Sequence, residues 1–270
     1  MNVVATWRAH FREYAIEAWG LGTFMAAACA VAALLYHPAS PFGGLAADRV
    51  AGRLPMGLAM GGVALALVYS PWGRRSGAHF NPAFTLAQYR LGRVAAPDLA
   101  GYVAAQFVGA VAGVSAASAA LGPLAAHPAV DHAATRPGAA GVAIAFAAEA
   151  AIAFVLLSAT AATAARPKLE RYTGCVAAAL VALYIVFEAP LSGMSLNPAR
   201  TFGSAVFAGG WRDFWIYLSA PVAGMLLAAE ARLRLVGRGA SGCAKLRHDS
   251  RGGCIFCTFA RGGIAAPGAR

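Results

Sequence analysis

Residues 76–86, SGAHFNPAFTL, return in outline at residues 192–202 as SGMSLNPARTF. The shared frame is Ser-Gly, three variable positions and then Asn-Pro-Ala, and the two copies lie 116 residues apart in apolar surroundings. Proline suits the first turn of a helix, where its missing N–H leaves nothing unsatisfied, and asparagine is a preferred residue just before it. Asn81-Pro82-Ala83 and Asn197-Pro198-Ala199 each predict the start of a helix about ten residues long, over 81–91 and 197–208. Both pieces are too short to cross hydrocarbon, which takes roughly 20 residues.

Six other windows are long enough. They are Phe11–Tyr36, Leu54–Ser70, Leu99–Leu121, Gly138–Ala165, Thr173–Ala189 and Phe214–Leu235. Of the 270 residues, 59% are apolar and 12% charged, against about 25% charged in an ordinary soluble domain. The first window is too long for the apolar core of a signal peptide and is interrupted by Glu17, so it is read as a retained span. The fold class expected is all-α integral membrane: six transmembrane helices plus two re-entrant half-helices.

The net charge of +11 raises nucleic acid as a partner, but its distribution points elsewhere. With the N-terminus in the cytoplasm, 17 of the 22 Lys and Arg fall on inside segments and five on outside ones. That split satisfies the positive-inside rule. The expectation is a multi-pass protein in a lipid bilayer with both termini cytoplasmic and no nucleic-acid partner. The Ala-rich spans suggest a bacterial inner membrane.

The chain also repeats itself. Glu17 in the first span and Glu149 in the fourth are each followed by a further span, an Asn-Pro-Ala segment and a third span. Three spans per half make the halves enter the membrane from opposite sides, as an inverted repeat, and such repeats place a site at their interface near the midplane. The division expected is an N-terminus at 1–10, a first half at 11–122, a connecting loop at 123–138, a second half at 139–236 and a tail at 237–270. Two half-helix starts meeting at the centre would both point positive dipole ends at one spot. The Asn81 and Asn197 amides would then be free to donate into a lumen. Such a lumen welcomes a neutral, hydroxyl-bearing molecule and opposes a cation.

SGAHFNPAFTL, SGMSLNPARTFGSAV, the Glu17 and Glu149 spans, and YVAAQFVGA at 102–110 together resemble the aquaporin, or major intrinsic protein, family over about residues 10–236. The resemblance implies a passive pore for water and small neutral solutes in every subunit, a homotetramer, no cofactor and no enzyme activity. It further implies a constriction in which Arg200 donates to the permeant and repels cations. Met194, three residues before Asn197, would share that constriction, with Ile185 (or Tyr184) from the fifth span and Met60 or Gly61 from the second. A typical water channel of the family shows an aromatic in the second span and a histidine in the fifth. Here no histidine lies between His132 and His248, so the filter is less polar. Thr201 stands where glycerol channels of the family often have Asp. The two cues disagree; water is the first choice and a glycerol-type facilitator the alternative.

His79 fits either a place in the pore vestibule or plain packing. Glu17 and Glu149 raise a third class, a proton-coupled transporter using both carboxylates as a relay. The structural reading is favoured, in which each accepts from non-helical N–H groups that lead into a half-helix. No phosphate-binding glycine loop and no nucleophile–base pair is visible, which argues against an enzyme. The tail holds Cys243, His248, Cys254 and Cys257, four residues of the types that bind zinc. Their spacing is not that of a standard zinc finger, and a Gly- and Arg-rich tail is the composition of a flexible segment. No metal is assigned.

Overall fold

The computed structural model describes residues 3–43, 49–237, 243–248 and 254–260, and among these it is helical without strands. Six helices have the length and hydropathy to cross a membrane. Among the described residues they are α1 (Val3–Tyr36), α2 (Val50–Tyr69), α5 (Ala96–Leu121), α7 (Val142–Ala164), α8 (Thr173–Phe187), whose span reaches 18 residues with the helical turn Glu170–Tyr172 before it, and α11 (Phe214–Val236). Between them lie α3 (Pro71–Ser76), α4 (Pro82–Arg90), α6 (Pro123–Ala126), α9 (Ala189–Ser192) and α10 (Pro198–Ala208), and α12 (Ile255–Ala260) follows. The half-helices α4 and α10 start where the Asn-Pro pairs place them. Asn81 and Asn197 are extended N-caps, and each side-chain oxygen accepts from the next two free N–H groups.

Each element of the first half has a counterpart in the second. The helix α1 packs on α5 as α7 packs on α11, α2 packs on α8, and each half-helix touches the last long helix of the opposite half. Leu58, Val108 and Leu227 stand more than 60% exposed on outer faces, where lipid rather than water is the matching solvent.

Small residues let the paired helices approach closely. A Cβ on Gly113 of α5 would lie 2.1 Å from the Gly22 carbonyl oxygen of α1, and one on Gly109 would lie 2.1 Å from that of Ala18. On the opposite side, Gly224 of α11 holds the same relation to Ala150 of α7. Backbone cannot yield as a flexible side chain can, so Gly113→Ala is expected to force α1 and α5 apart. Overpacking of this kind costs about 1–3 kcal/mol. Thermal unfolding in detergent reads it, with Gly62→Ala as the neutral comparison because open space surrounds that position.

The helix α1 begins eight residues before the expected span, at Val3. Its added turns are held from a distance. Trp7 Nε1 donates to the Pro97 carbonyl at 2.9 Å, and His10 and Tyr14 both reach Asp98 at 2.7 Å.

Candidate functional site

The segments leading into the half-helices are not helical. Gly77, Ala78 and Phe80 have φ of +100°, +56° and +45°, and Gly193, Met194 and Leu196 have +83°, +53° and +60°. Non-glycine residues in this region are strained by about 1–3 kcal/mol each unless their surroundings hold them. Here a buried carboxylate does so in each half. Glu17 accepts from Ser76 Oγ (2.7 Å), His79 N (3.1 Å), Phe80 N (2.6 Å) and Gln106 Nε2 (2.8 Å). Glu149 accepts from Ser192 Oγ (2.7 Å), Ser195 N (2.6 Å) and Leu196 N (2.7 Å). Both glutamates are wholly shielded from solvent. The loop N–H groups that no helix satisfies are thereby collected.

The two halves are pinned to each other at the motif. Asn81 Nδ2 donates to the Leu196 carbonyl at 2.8 Å, and Asn197 Nδ2 donates to the Phe80 carbonyl at 2.7 Å. An amide nitrogen carries two hydrogens. The expectation of freely donating asparagines is therefore corrected: each uses one hydrogen across the repeat interface and has one left for the lumen.

A cavity of about 630 Å³ runs through this junction. Its wall includes Arg53 and Arg136 at one end, Asn81, Asn197 and Arg200 further in, and His79 and Leu246 toward the tail. Met60, Ile185 and Met194 line it. Gly61 does not. A Cβ there would meet Ala182 Cβ at 2.8 Å and the Ala178 carbonyl oxygen at 3.1 Å, so this face of α2 is spent on α8. Between the alternatives Met60 and Gly61, only the methionine faces the lumen. Tyr184 is likewise absent from the wall. Arg200 is on the cavity wall, and its Nη1 is buried without a hydrogen-bond partner in the protein.

Thr201 lies away from the cavity. It is 2% exposed, and its hydroxyl meets Thr135 Oγ1 and Ser195 Oγ. His79, 4% exposed, is on the cavity wall but also enclosed. Its Nδ1 lies 3.1 Å from Thr85 Oγ1, its Nε2 lies 3.0 Å from the Ala244 carbonyl, and Phe256 stacks on the ring at 5.2 Å.

Two supporting tyrosines were not expected from sequence. Tyr102 OH donates to the Ser76 carbonyl and Tyr217 OH to the Ser192 carbonyl, each at 2.6 Å. Extending the repeat into the third spans would have found them, since Tyr102 and Gly109 align with Tyr217 and Gly224. The same alignment sets Gln106 against Pro221, which is why Glu17 has a fourth donor and Glu149 has none.

The tail also departs from expectation. Residues 243–248 and 254–260 pack on the bundle, and Ala244, Cys254 and Phe256 share a core with Tyr14, Val94 and Tyr102. Cys243, His248, Cys254 and Cys257 converge, with Cys243 Sγ 3.5 Å from Cys254 Sγ and Cys257 Sγ 3.3 Å from His248 Nε2. Sharing a proton with Cys243, and standing near the Lys245 ammonium, the Cys254 thiol is pushed down.

The model of the major intrinsic protein family matches residues 4–231. The chain belongs to this family. It is similar to aquaporin NIP3-1 of Zea mays, with 39% identity over 174 residues, 64% of this chain and 56% of the maize protein. Glycerol uptake facilitator protein-like 6 of Lactiplantibacillus plantarum is 34% identical over 179 residues, 65% of this chain and 82% of that protein. The matched region spans little more than half the length of the plant relatives. The X-ray structure of the aquaglyceroporin from Plasmodium falciparum aligns with a TM-score of 0.65 at 20% identity, covering 84% of this chain and 97% of that one. At that identity the likeness is one of fold. The family fold and the six spans make this a multi-pass integral membrane protein.

Proposed function

We propose that this chain is a passive channel, not an enzyme, that conducts water and small neutral solutes and excludes ions and protons. The observation that carries the proposal is the cavity whose wall holds Asn81, Asn197 and Arg200 together. Two half-helix N-termini and a guanidinium direct positive potential at the lumen, which opposes cations without hindering a neutral molecule. The spare amide hydrogens of Asn81 and Asn197 and the Arg200 guanidinium on the wall are donors for a passing oxygen. Both buried carboxylates are already engaged by loop donors, which supports a scaffolding role over a proton relay.

A second reading, glycerol facilitation, draws on the wall facing Arg200. Met60, Ile185 and Met194 present three apolar side chains beside one donor, a surface that suits a molecule with a hydroxyl edge and a CH edge. Assembly as a homotetramer and a cytoplasmic tail side, as the positive-inside rule directs, complete the proposal.

The test is stopped-flow light scattering on proteoliposomes. Shrinkage under an impermeant osmolyte is expected to be fast and weakly temperature-dependent, and Val181→Trp, which enlarges a wall residue, is expected to return it to the rate of empty liposomes. Re-swelling under glycerol decides between the two permeants. Shrinkage no faster than that of empty liposomes in folded, correctly inserted protein would sink the channel reading.

A further inference from the structure

Three of the five cysteines and a histidine of the tail meet at one point. All four candidate ligand atoms, three Sγ and one imidazole nitrogen, lie within 4.8 Å of one another. A tetrahedral zinc site has metal–sulfur arms of about 2.3 Å and metal–nitrogen arms of about 2.0 Å, and so edges of roughly 3.5–3.8 Å. The two shortest separations, 3.5 Å for Cys243–Cys254 and 3.3 Å for Cys257–His248, are already at that scale. Contraction of the remaining edges by about 1 Å would complete the tetrahedron. Ordinary packing would not require four ligand atoms of these types to face one another, since neighbouring apolar groups would fill the space as well.

The cluster stands where it can act on the pore. Leu246 N donates to the Gly77 carbonyl at 3.0 Å, and Lys245 Nζ donates to the Arg74 carbonyl at 2.9 Å. Ala244 and Phe256 cover His79, and the Leu246 side chain forms part of the cavity wall. The helix α12 has six residues, far fewer than the ~12–15 that an isolated helix needs to be even marginally stable in water. Contacts beyond its own backbone hold this segment, among them the core it shares with Tyr14, Val94 and Tyr102. A four-coordinate metal joining residues 243–248 to 254–257 would fasten it further.

We propose that Cys243, His248, Cys254 and Cys257 form a four-ligand site for zinc or another soft divalent cation, and that the bound metal fastens the tail across the adjacent mouth of the pore. Each thiol that coordinates gives up its proton to solvent, and the metal keeps its oxidation state. On the proposed orientation this mouth faces a reducing compartment, where thiols persist and metal ligation is favoured over disulfide formation. Loading the site stabilises the closed arrangement of the tail, and stripping it frees Leu246 and Phe256 to leave the cavity end.

Co²⁺ titration of the full-length, reduced, metal-free protein in detergent tests the ligation without any transport measurement. The expected result is one equivalent bound, with a thiolate-to-cobalt charge-transfer band and the visible bands of a tetrahedral site, both bleached by Zn²⁺. Cys254→Ser and Cys257→Ser should lose tight binding while retaining the elution profile of the parent, because these residues lie outside the six spans. Absence of a tetrahedral spectrum in the parent overturns the site. So does purification of the unreduced protein metal-free and two hydrogens lighter, with Cys243 and Cys254 joined.

Water flux in proteoliposomes tests the closure. At free Zn²⁺ about 100 times its dissociation constant, the closed arrangement gains about a hundredfold in weight. Flux should then fall on loading and recover with a chelator, and Cys254→Ser should stay fast throughout. Equal flux in loaded and stripped parent, with the cobalt spectrum present, overturns the closure and leaves the metal site standing. Failure of the channel proposal itself would show differently, as no flux in any variant.

Discussion

A chain carrying Glu17→Leu is expected not to accumulate as folded protein. Leucine fills nearly the same volume, so no cavity opens and the loss is one of hydrogen bonding. Three donors are stranded, Ser76 Oγ, His79 N and Phe80 N, while Gln106 Nε2 keeps only its bond to Thr85 Oγ1. A buried polar group left unsatisfied costs about 1–3 kcal/mol, so three of them cost about 3–9 kcal/mol, a large share of the whole stability of many folded domains. The left-handed backbone at Ala78 and Phe80 would relax once its anchor is gone, and with it the seat of Asn81. Glu149→Leu strands two donors, Ser195 N and Leu196 N, because the Ser192 hydroxyl still has the Glu188 carboxylate as acceptor, and should follow the same course to a lesser degree. Glutamine at either position keeps one acceptor oxygen but aims hydrogens at groups that are themselves donors, so an intermediate loss is expected. Recovery of monodisperse protein from detergent, followed by thermal unfolding, orders the variants. A proton relay predicts otherwise: Glu17→Gln would be as stable as the parent and would lose only its response to an imposed pH gradient.

That ordering also bears on what a sequence can disclose. The six spans and the starts of α4 and α10 were legible because each rests on local physics. Length and hydropathy mark a span, and Asn-Pro marks a helix start wherever it occurs. The repeat was legible because Glu17 and Glu149 stand in equivalent places relative to their motifs. The first turns of α1 were not. They are held by Pro97 and Asp98, some 90 residues away, and nothing in residues 3–10 announces that partner. The choice between Met60 and Gly61 was equally hidden, because adjacent helical residues differ by about a third of a turn. Only the close approach of α8 shows which of the two is spent on packing. Thr201 was taken as a cue to the permeant from its place beside Arg200, whereas its side chain turns away to Thr135 and Ser195. The packing of residues 243–248 and 254–260 was not legible for a related reason. Composition describes what a segment can do alone, and residues 243–248 and 254–257 pack on Tyr14, Tyr102 and His79, which belong to the bundle.

Arg200→Val is expected to leave the fold intact while weakening discrimination. The side chain's Nη1 has no partner to be stranded by its removal, and the backbone N–H of residue 200 keeps its bond to Asn197 Oδ1. A cation passing about 5 Å from the guanidinium, at an effective dielectric of about 20, meets a repulsion of about 3 kcal/mol. Loss of that barrier raises cation passage by about two orders of magnitude, since each 1.4 kcal/mol is tenfold. A pH-sensitive dye trapped in proteoliposomes under a pH gradient reads the proton component. Glycerol re-swelling reads the wider opening, which should also rise because valine is smaller than arginine and adds one more apolar group beside Met60, Ile185 and Met194. Water flux should change least, because water needs neither the width nor the donor. The two half-helix N-termini remain in the variant, each worth about half a positive charge within the first turn. If the dye reports no added leak, those termini alone exclude ions and Arg200 serves to orient and size the solute. A leak without faster glycerol would assign it the opposite role, as the charge barrier and not the gauge.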